Sequence, residues 1–232
     1  MKKVLCVISG GMDSATLLAL AIDQCTDLDD DVEAVSFDYG QRHRKELEYA
    51  ENLCGREGVR HDIVDISAIQ PHIGGSALTD DGIDVPEGHY ESDNMKLTVV
   101  PNRNAIMLTI AFGIAVARGA VLVGAAMHAG DHAVYPDCRP AFVQAFNAMQ
   151  IVAVEGHGHP DLRLWTPFIN LKKSHIATIG SNLGVDYSKT WSCYKGQELH
   201  CGVCGTCYER REAFRDGGVA DPTIYQQEPV LA

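Results

Sequence analysis

The sequence contains few basic residues for its length, with 19 lysines and arginines against 31 aspartates and glutamates and a formal net charge of −12 over 232 residues. A protein that binds nucleic acids without sequence preference needs a basic face that neutralises phosphates. The charge balance therefore argues against stable nucleic-acid binding and favours small molecules as partners.

The sequence also lacks a recognisable secretory signal and an uninterrupted membrane-spanning run. Its two N-terminal lysines precede only five apolar residues, whereas a signal peptide needs roughly 7–15. The longest apolar stretch, residues 105–126, is divided by Arg118 and Gly119 into a helix-length piece and a strand-length piece. This division favours a buried helix and a buried strand over a membrane span. We therefore expect a cytoplasmic protein without membrane association.

Short apolar runs alternate with amphipathic segments along the chain, and no internal repeat or low-complexity tract is present. The predicted strands cover residues 4–9, 31–40, 60–67 and 120–125. The predicted helices cover residues 13–25, 44–58, 104–117, 140–154 and 172–183. Alternation of this kind predicts a doubly wound, mostly parallel α/β sheet, whose ligands bind beyond the carboxyl ends of the strands. Residues 70–100 lack a clear period and predict a long loop over a ligand site.

The segment SGGMDS, residues 9–14, connects the first predicted strand to the first predicted helix. Glycines allow a ligand to approach the backbone closely, and a helix N-terminus presents unpaired N–H groups to anions. The alternative is a plain tight turn that is capped by Asp13 or Ser14. The chain has no GxxxxGK[ST] loop and no GxGxxG dinucleotide motif. The segment is therefore predicted to hold pyrophosphate, with Mg²⁺ bridging through Asp13.

Half of the eight cysteines form a C-x7-C-x2-C-x2-C pattern: Cys193, Cys201, Cys204 and Cys207. In a cytosolic chain, clustered cysteines indicate metal or redox chemistry rather than disulfides. Four thiolates and no open position predict a structural, tetrahedral Zn²⁺ site, and an iron–sulfur cluster is the alternative. Four histidines are expected to be surface loop residues rather than a second metal site: His128, His132, His157 and His159.

Several motifs together resemble known enzymes. The segment SGGMDS resembles the PP-loop of ATP pyrophosphatases, which cleave ATP between the α and β phosphates. The segment FDYGQRHRKE, residues 37–46, and the four-cysteine segment resemble the 7-cyano-7-deazaguanine synthases of queuosine precursor biosynthesis. The similarity continues through PNRN, YPDCR, TPF and DPTIY, and it therefore covers nearly the whole chain in order.

The resemblance implies an adenine-nucleotide hydrolase-like, Rossmann-like ATP-binding domain over residues 1–190. It also implies a small, partly helical zinc-binding segment over residues 191–232, and a homodimer. ATP is expected to contact the first loop and helix and the end of the second strand: Ile8, Ser9, Gly10, Gly11, Met12, Asp13, Ser14, Ala15, Thr16, Leu17, Leu18, Phe37, Asp38 and Arg42. The deazapurine is expected to contact Tyr39, Gln41, Arg42, His43, Asp131, Tyr135 and Asp137.

The catalytic residues are expected to be Asp13, Arg103 and Lys173. Arg103 and Lys173 can offset negative charge on the ATP phosphates, although a helix-entry arginine and a solvated lysine are the simpler interpretations. The carboxylates of Asp131 and Asp137 suit the N1–H and the exocyclic amine of a guanine-like edge, because both groups are donors.

Two segments depart from the family pattern. Asn102 stands where the family usually has a glycine, and asparagine tolerates the left-handed backbone conformation. The segment MHAGDHAV, residues 127–134, replaces an acidic-aromatic stretch beside the substrate. The contacts to the deazapurine at this segment therefore remain open.

The implied reaction converts a 7-carboxylate on a deazaguanine to a nitrile with ATP and ammonia. The carboxylate oxygen, and then the amide oxygen, would each receive AMP and become a good leaving group. No glutaminase segment is visible, so free ammonia is the expected nitrogen donor. Two alternatives remain: a PP-loop enzyme that thiolates tRNA, which the acidic charge disfavours, and a non-catalytic adenine-nucleotide sensor with a zinc-stabilised tail.

Overall fold

The computed structural model describes residues 3–25, 31–42, 44–90 and 93–228. His43, one of the expected substrate-binding residues, lies outside the described residues.

The described strands form one five-stranded sheet in the order β3-β2-β1-β4-β5, and every neighbouring pair is parallel. The strands are β1 (Lys3–Val7), β2 (Asp31–Asp38), β3 (Arg60–Asp65), β4 (Leu122–Gly124) and β5 (Arg163–Trp165). The predicted parallel α/β class is therefore confirmed. The order places β1 at the centre: the chain runs outward from β1 to β2 and β3, and then crosses back to β4 on the other side of β1. The carboxyl ends of β1 and β4 therefore form the topological switch point where such sheets bind ligands.

Six α-helices in the described part of the chain flank this sheet. They are α1 (Met12–Gln24), α2 (Lys45–Glu57), α3 (Arg103–Arg118), α4 (Pro140–Ala153), α5 (Lys173–Asn182) and α6 (Gly205–Gly217). Along β1, Leu5 packs in one buried cluster with side chains of α3 and α4. Val4 and Cys6 pack in another with side chains of α1, α2 and α5. Successive strand residues point to opposite faces, so the two clusters are the two layers of the core.

The long apolar stretch folds as a helix followed by a strand, as predicted. Helix α3 ends at Gly119, which has a φ of 69° and closes the helix in the left-handed conformation. Strand β4 follows at the sheet centre. Asn102 precedes the helix with a φ of 58°, as expected for an asparagine that replaces a glycine. In the described part of the chain, no helix is both long and apolar enough to cross a membrane.

The segment between β3 and α3 is more ordered than a plain loop. It contains two 3₁₀ turns, Ser67–His72 and Asp93–Thr98. Met95 and Leu78 of this segment are fully buried in the core. Glu87 forms an isolated antiparallel bridge with Cys204, so the segment also contacts the cysteine-rich part of the chain.

The segment after α5 packs closely onto the sheet. The Trp191 backbone N–H donates to the Gly10 carbonyl at 2.9 Å. The guanidinium of Arg210, on α6, is fully buried and donates to oxygens of Tyr187, Thr190, Ser192 and Thr223 at 2.6–3.0 Å. These bonds fix the C-terminal segment against the loop that follows β1.

Candidate active site

A cavity of about 260 Å³ opens at the carboxyl ends of β1, β2 and β4. The end of each strand and the beginning of α1, α3, α5 and α6 contribute to its wall. Twelve of the expected site residues line it: Ile8, Ser9, Gly11, Met12, Asp13, Ser14, Phe37, Tyr39, Arg103, Asp131, Tyr135 and Lys173. The sheet thus gathers residues that lie as much as 165 positions apart, from Ile8 to Lys173, around one space.

The loop after β1 is held by its own serines. The Ser9 backbone N–H donates to Ser14 Oγ at 3.3 Å, and Ser14 Oγ donates to the Gly11 carbonyl at 3.1 Å. Helix α1 begins at Met12, and Gly11 takes the N-cap position that Asp13 or Ser14 was expected to hold. The first N–H groups of α1 have no partner within the helix. They lie at the cavity wall and can bind an anion.

The two glycines of this loop have different roles. Gly10 has a φ of 75°, and a Cβ there would collide with the Glu46 carbonyl oxygen and the Ala50 nitrogen of α2. Gly11 lines the cavity, and a Cβ there would lie 3.4 Å from the Trp191 carbonyl. Gly10 therefore allows the loop to pack on α2, whereas Gly11 keeps the backbone open to a ligand. The sequence did not distinguish these two positions.

A buried group of charges occupies one end of the cavity. Lys173 Nζ lies 2.9 Å from Asp13 Oδ2 and 2.7 Å from Glu209 Oε2. Burial alone would lower the pKa of Lys173, but the two carboxylates outweigh this effect and raise it well above the usual value. Lys173 is therefore a permanent cation. Burial raises the pKa of Glu209, and the neighbouring Lys173 and His128 oppose that change.

His128 is part of this charged end, which corrects the expectation that it lies on the surface. Its side chain is 2% exposed. Its Nδ1 accepts the Gly130 N–H at 3.1 Å, so its proton is on Nε2. That nitrogen lies 3.6–4.0 Å from oxygens of Asp13, Asp131 and Glu209. Local sequence placed His128 in a polar loop, and only the packing of that loop on α6 buries it. His132 is half-buried, and His157 and His159 are exposed.

The residues at this end fit a magnesium ion. Asp13 Oδ1 is buried and has no hydrogen-bond partner among the described residues. An unsatisfied buried carboxylate oxygen is costly unless a ligand satisfies it. Mg²⁺ prefers one or two carboxylates together with phosphate oxygens and water. Asp13, at the start of α1, is placed to supply such an oxygen.

Tyrosines line another part of the cavity wall. Tyr39, Tyr90, Tyr135 and Tyr194 line it together with Arg103. The Arg103 guanidinium donates to the Tyr39 hydroxyl at 3.4 Å and lies 5.7 Å from the centre of that ring. Burial raises the pKa of Tyr39 to about 12, so the phenol is neutral. Within the described residues, no ion pair joins Arg103 to a carboxylate.

The two expected aspartates of the guanine-binding edge have different surroundings. Asp131 lines the cavity, and its Oδ1 accepts the Tyr90 hydroxyl at 3.2 Å. Asp137 Oδ2 accepts the Asn104 backbone N–H at 3.0 Å, which satisfies a free donor in the first turn of α3. Asp131 therefore faces the cavity, whereas Asp137 fixes the first turn of the helix that carries Arg103.

Other expected contact residues make contacts within the protein. Ala15, Leu17 and Leu18 are buried in the core, and Thr16 Oγ1 bonds to the Tyr187 hydroxyl at 2.9 Å. Asp38 pairs with Arg44. Gln41 accepts the Tyr39 N–H at 2.9 Å and donates to the Phe37 carbonyl at 3.2 Å, so it shapes the turn after β2.

Arg42 anchors the segment between β3 and α3. Its guanidinium donates to the carbonyls of Ala77 and Ile83 at 3.3 and 2.8 Å and pairs with Asp81 at 2.9 Å. A cation at the start of a helix is unfavourable for the helix dipole. Here the neighbouring segment supplies compensating oxygens.

The four clustered cysteines form a compact site. All four are buried, and their sulfurs lie within 4.8 Å of one another. The Cys204–Cys207 and Cys201–Cys207 sulfur separations are 3.5 and 3.9 Å. Four ligands at 2.3 Å around one tetrahedral Zn²⁺ would stand about 3.8 Å apart. Backbone N–H groups of Cys201, Val203 and Cys204 donate to these sulfurs at 3.3–3.4 Å and favour thiolates.

Several wall residues were not anticipated from the sequence. They are Glu209 beside the cavity, and Tyr90, Asn104, His128, Trp191, Ser192, Tyr194 and Thr206 in its wall. Glu209 carried a usable signal, because it lies two residues after Cys207 on the helix that the cysteine cluster begins. The others have no local pattern that distinguishes them from core or loop residues.

The sequence profile described as "Queuosine biosynthesis protein QueC" matches residues 3–218. The chain belongs to the QueC family. A protein from Ruegeria pomeroyi, named 7-cyano-7-deazaguanine synthase, is 56% identical over 96% of this chain and 94% of its own length. A protein of the same name from Allorhizobium ampelinum is 52% identical over 97% of this chain and 92% of its own length.

A solved structure of lower similarity supports the fold of this QueC-family chain. The NMN synthetase from Francisella tularensis superposes with a TM-score of 0.51 and 16% identity, covering 94% of this chain and 78% of that protein. At this identity the likeness concerns the fold alone.

Proposed function

We propose that this protein is a 7-cyano-7-deazaguanine synthase, an ATP-dependent carbon–nitrogen ligase. It converts 7-carboxy-7-deazaguanine and ammonia to 7-cyano-7-deazaguanine. The observation that carries the proposal is 56% identity, over nearly the full length of both chains, to a relative with that name. The cavity supports it, because an anion-binding loop with a buried lysine faces an aromatic compartment with a cationic guanidinium.

The charged end suits activation by adenylation. ATP phosphates would meet the N–H groups at the start of α1 and the Lys173 ammonium, which is fixed beside Asp13. Magnesium, which Asp13 can hold, supplies further positive charge to the pyrophosphate leaving group. Lys173 offsets charge that develops on phosphorus, and Arg103 offsets charge nearer the aromatic end. These interactions act on both the carboxylate and the amide stage.

The protein supplies no covalent nucleophile in this scheme. Cys138 lines the cavity, but burial raises the pKa of its thiol strongly, and the Asn104 amide donates to its sulfur at 3.2 Å. A protonated thiol is a poor nucleophile. Ammonia therefore attacks the adenylated carbon directly, and positioning of the reactants accounts for the rate.

The aromatic end suits the flat deazapurine. Tyr39 and Tyr135 offer ring surfaces, and Asp131 offers acceptor oxygens for the N1–H and exocyclic amine of a guanine-like edge. Gln41 and Asp137 act indirectly, by fixing the turn after β2 and the start of α3. Arg42 acts in the same indirect way through the segment between β3 and α3.

The metal at the cysteines is proposed to be structural Zn²⁺. Thiolates that share one ion stand closer together than thiolates that each bind a different iron of a cluster. The sulfur separations favour a single ion. We further propose a cytoplasmic homodimer that uses free ammonia and acts on small molecules, without stable nucleic-acid or membrane binding.

Mass spectrometry tests the proposal. Purified protein with Mg²⁺–ATP, ammonium and 7-carboxy-7-deazaguanine is expected to release AMP, pyrophosphate and the nitrile, with the amide as an intermediate. Binding of ATP without turnover would indicate a sensor instead. Transfer of sulfur to tRNA, with no nitrile, would indicate a thiolating enzyme.

A further inference from the structure

The Lys173 ammonium is held from two sides of the cavity. Asp13 of the loop after β1 lies 2.9 Å away, and Glu209 of α6 lies 2.7 Å away. We propose that Glu209 is a positioning residue that fixes Lys173 for its contact with the ATP phosphates. The proposal rests on the proposed function and names a residue that the motifs of the ATP-binding loop do not include.

The donor geometry of lysine supports this role. An ammonium has three N–H groups on a flexible four-carbon stem. Two of them point to Asp13 and Glu209, which leaves one for a phosphate oxygen in the cavity that Lys173 lines. A lysine with only one carboxylate partner would sample more rotamers and hold this third N–H less well.

The two carboxylates are not equivalent. Asp13 Oδ1 is buried without a hydrogen-bond partner in the described chain and is available to an incoming ligand. Glu209 is engaged on both sides, since its Oε2 contacts Lys173 and its Oε1 lies 4.0 Å from His128 Nε2. When a ligand draws Asp13 away from Lys173, Glu209 remains as the anchor.

The backbone around Glu209 is fixed. Helix α6 begins at Gly205 and has Cys204 of the metal site as its N-cap. A Cβ on Gly130 would stand only 3.0 Å from Glu209 Oε1, so the neighbouring backbone closely confines this carboxylate. Glu209 itself is 9% exposed. The cysteine segment thereby contributes a charge to the ATP end of the cavity.

The variant Glu209→Gln tests the role, because it keeps the size and removes the charge. We expect kcat to fall about 10–100-fold, as for a misplaced catalytic group. The KM for ATP and the affinity for a non-hydrolysable ATP analogue should stay the same or improve, since one negative charge has left the site. Glu209→Asp, which restores the charge on a shorter side chain, should recover part of kcat.

Glu212→Gln is the matched control. Glu212 lies on the same helix and pairs with His89 at 3.3 Å, so it is expected to behave as wild type. In the background Lys173→Met, adding Glu209→Gln should cost nothing further, because the group it positions is gone. Metal content and melting temperature of Glu209→Gln should match those of the control.

Four results would overturn the proposal: a kcat equal to that of Glu212→Gln, a higher KM with unchanged kcat, full additivity with Lys173→Met, or loss of metal in proportion to loss of activity. The activity of the wild-type protein distinguishes a failure of the Glu209 proposal from a failure of the proposed function. If wild type forms no nitrile, the function itself is wrong. If wild type forms the nitrile and Glu209→Gln has the kcat of Glu212→Gln, only the role of Glu209 is wrong.

Discussion

The two ends of the sheet both carry buried charges, but they arrange them in opposite ways. At the amino end, Glu33 pairs with Lys3 through one oxygen and with Arg118 through the other, each at 2.6 Å. Arg118 also pairs with Asp62 at 2.5 Å. Every carboxylate oxygen of Glu33 therefore has a cation, and the network is closed.

At the cavity end the network is open. Lys173 is the cation that pairs with Asp13 and Glu209, and Asp131 lies close by. Asp13 Oδ1 lacks a hydrogen-bond partner, and Arg103 lacks an ion pair, within the described residues. A closed network contributes to stability, whereas an open one leaves charge available to a ligand at some cost in stability. The comparison separates charges that are fully paired within the fold from charges that remain available to a ligand.

Removal of the metal should have the largest effect on structure and ATP binding, and this effect should be confined to the cavity end of the sheet. Structural zinc contributes on the order of 10–16 kcal/mol in small zinc domains, and this segment supplies Trp191, Thr206 and Glu209 to the site. Chelation, or Cys204→Ser, is expected to abolish ATP binding and hydrogen-exchange protection of α6. Protection of β1 and β2 should persist. Cys25→Ser is the control, and ATP binding by metal-free protein would contradict the coupling.

Lys173→Met should reduce catalysis next most strongly. Loss of one preorganised cation at the reacting phosphate typically costs about 10²–10³ in kcat. The melting temperature should change little, because the carboxylates that remain can take up a proton, as the raised pKa of buried Glu209 indicates. Steady-state kinetics measure the change in kcat, and thermal melts measure the change in melting temperature. A large loss of stability with unchanged kcat would place Lys173 in the same class as Glu33.

Glu33→Gln should show the reverse behaviour. Loss of a buried partner costs 3–5 kcal/mol when the remaining charge is stranded. Lys3 and Arg118 keep Asp31 and Asp62 as partners, so we expect about 2 kcal/mol, or roughly 4–8 °C in melting temperature. The kcat per folded molecule should equal that of wild type. Urea unfolding and kinetics at one temperature test this, and reduced kcat would mean that the two ends are coupled.

The smallest effect concerns acid stability. Burial would raise the pKa of Glu33, but Lys3 and Arg118 hold it below its usual 4.5, and Arg118 lowers the pKa of Asp62. The stabilisation is therefore complete above pH 4.5 and is lost as pH falls through the lowered values. Asp62 is partly exposed, so its share is screened.

Arg118→Met should reduce this loss of stability at low pH. Its melting temperature should fall about 3 °C less than that of wild type between pH 5 and about 3, as pH falls toward the lowered pKa values. Arg163→Met is the matched control and should leave the acid dependence unchanged, because Arg163 is exposed and has no ion pair among the described residues. If the melting temperature of Arg118→Met falls with pH as much as that of wild type, the amino-end network does not produce the acid sensitivity.

Local features were readable from the sequence because they depend on neighbouring residues. The helix and strand at residues 105–126, the left-handed Asn102 and the Cys193–Cys207 spacing are of this kind. The predicted segment ends differ from those of the structure by at most two residues. Strand β5 carries no sequence signal, because three residues of an edge strand give no period.

The site was readable only in part. Ser9, Gly11, Met12, Asp13 and Ser14 of the loop after β1 line the cavity together with Arg103 and Lys173, and their roles toward ATP stay predictions. The surroundings of His128 and Arg42 could not be predicted from the sequence. His128 is buried, and Arg42 donates to the Ile83 carbonyl, only because the fold brings distant segments together.

The sequence by itself determined the parallel α/β architecture, the family, and two motifs whose residue types and spacing suit an anion and a metal ion. Periodicity and spacing depend on residues that are close in the sequence, so they can be recognised without the tertiary structure. Only the tertiary structure decided which charges are closed and which are open. Lys173 lies 160 positions after Asp13, and Glu209 lies 36 positions after Lys173. Whether a charged side chain is fully paired or remains available to a ligand depends on the partners that such distant segments bring to it.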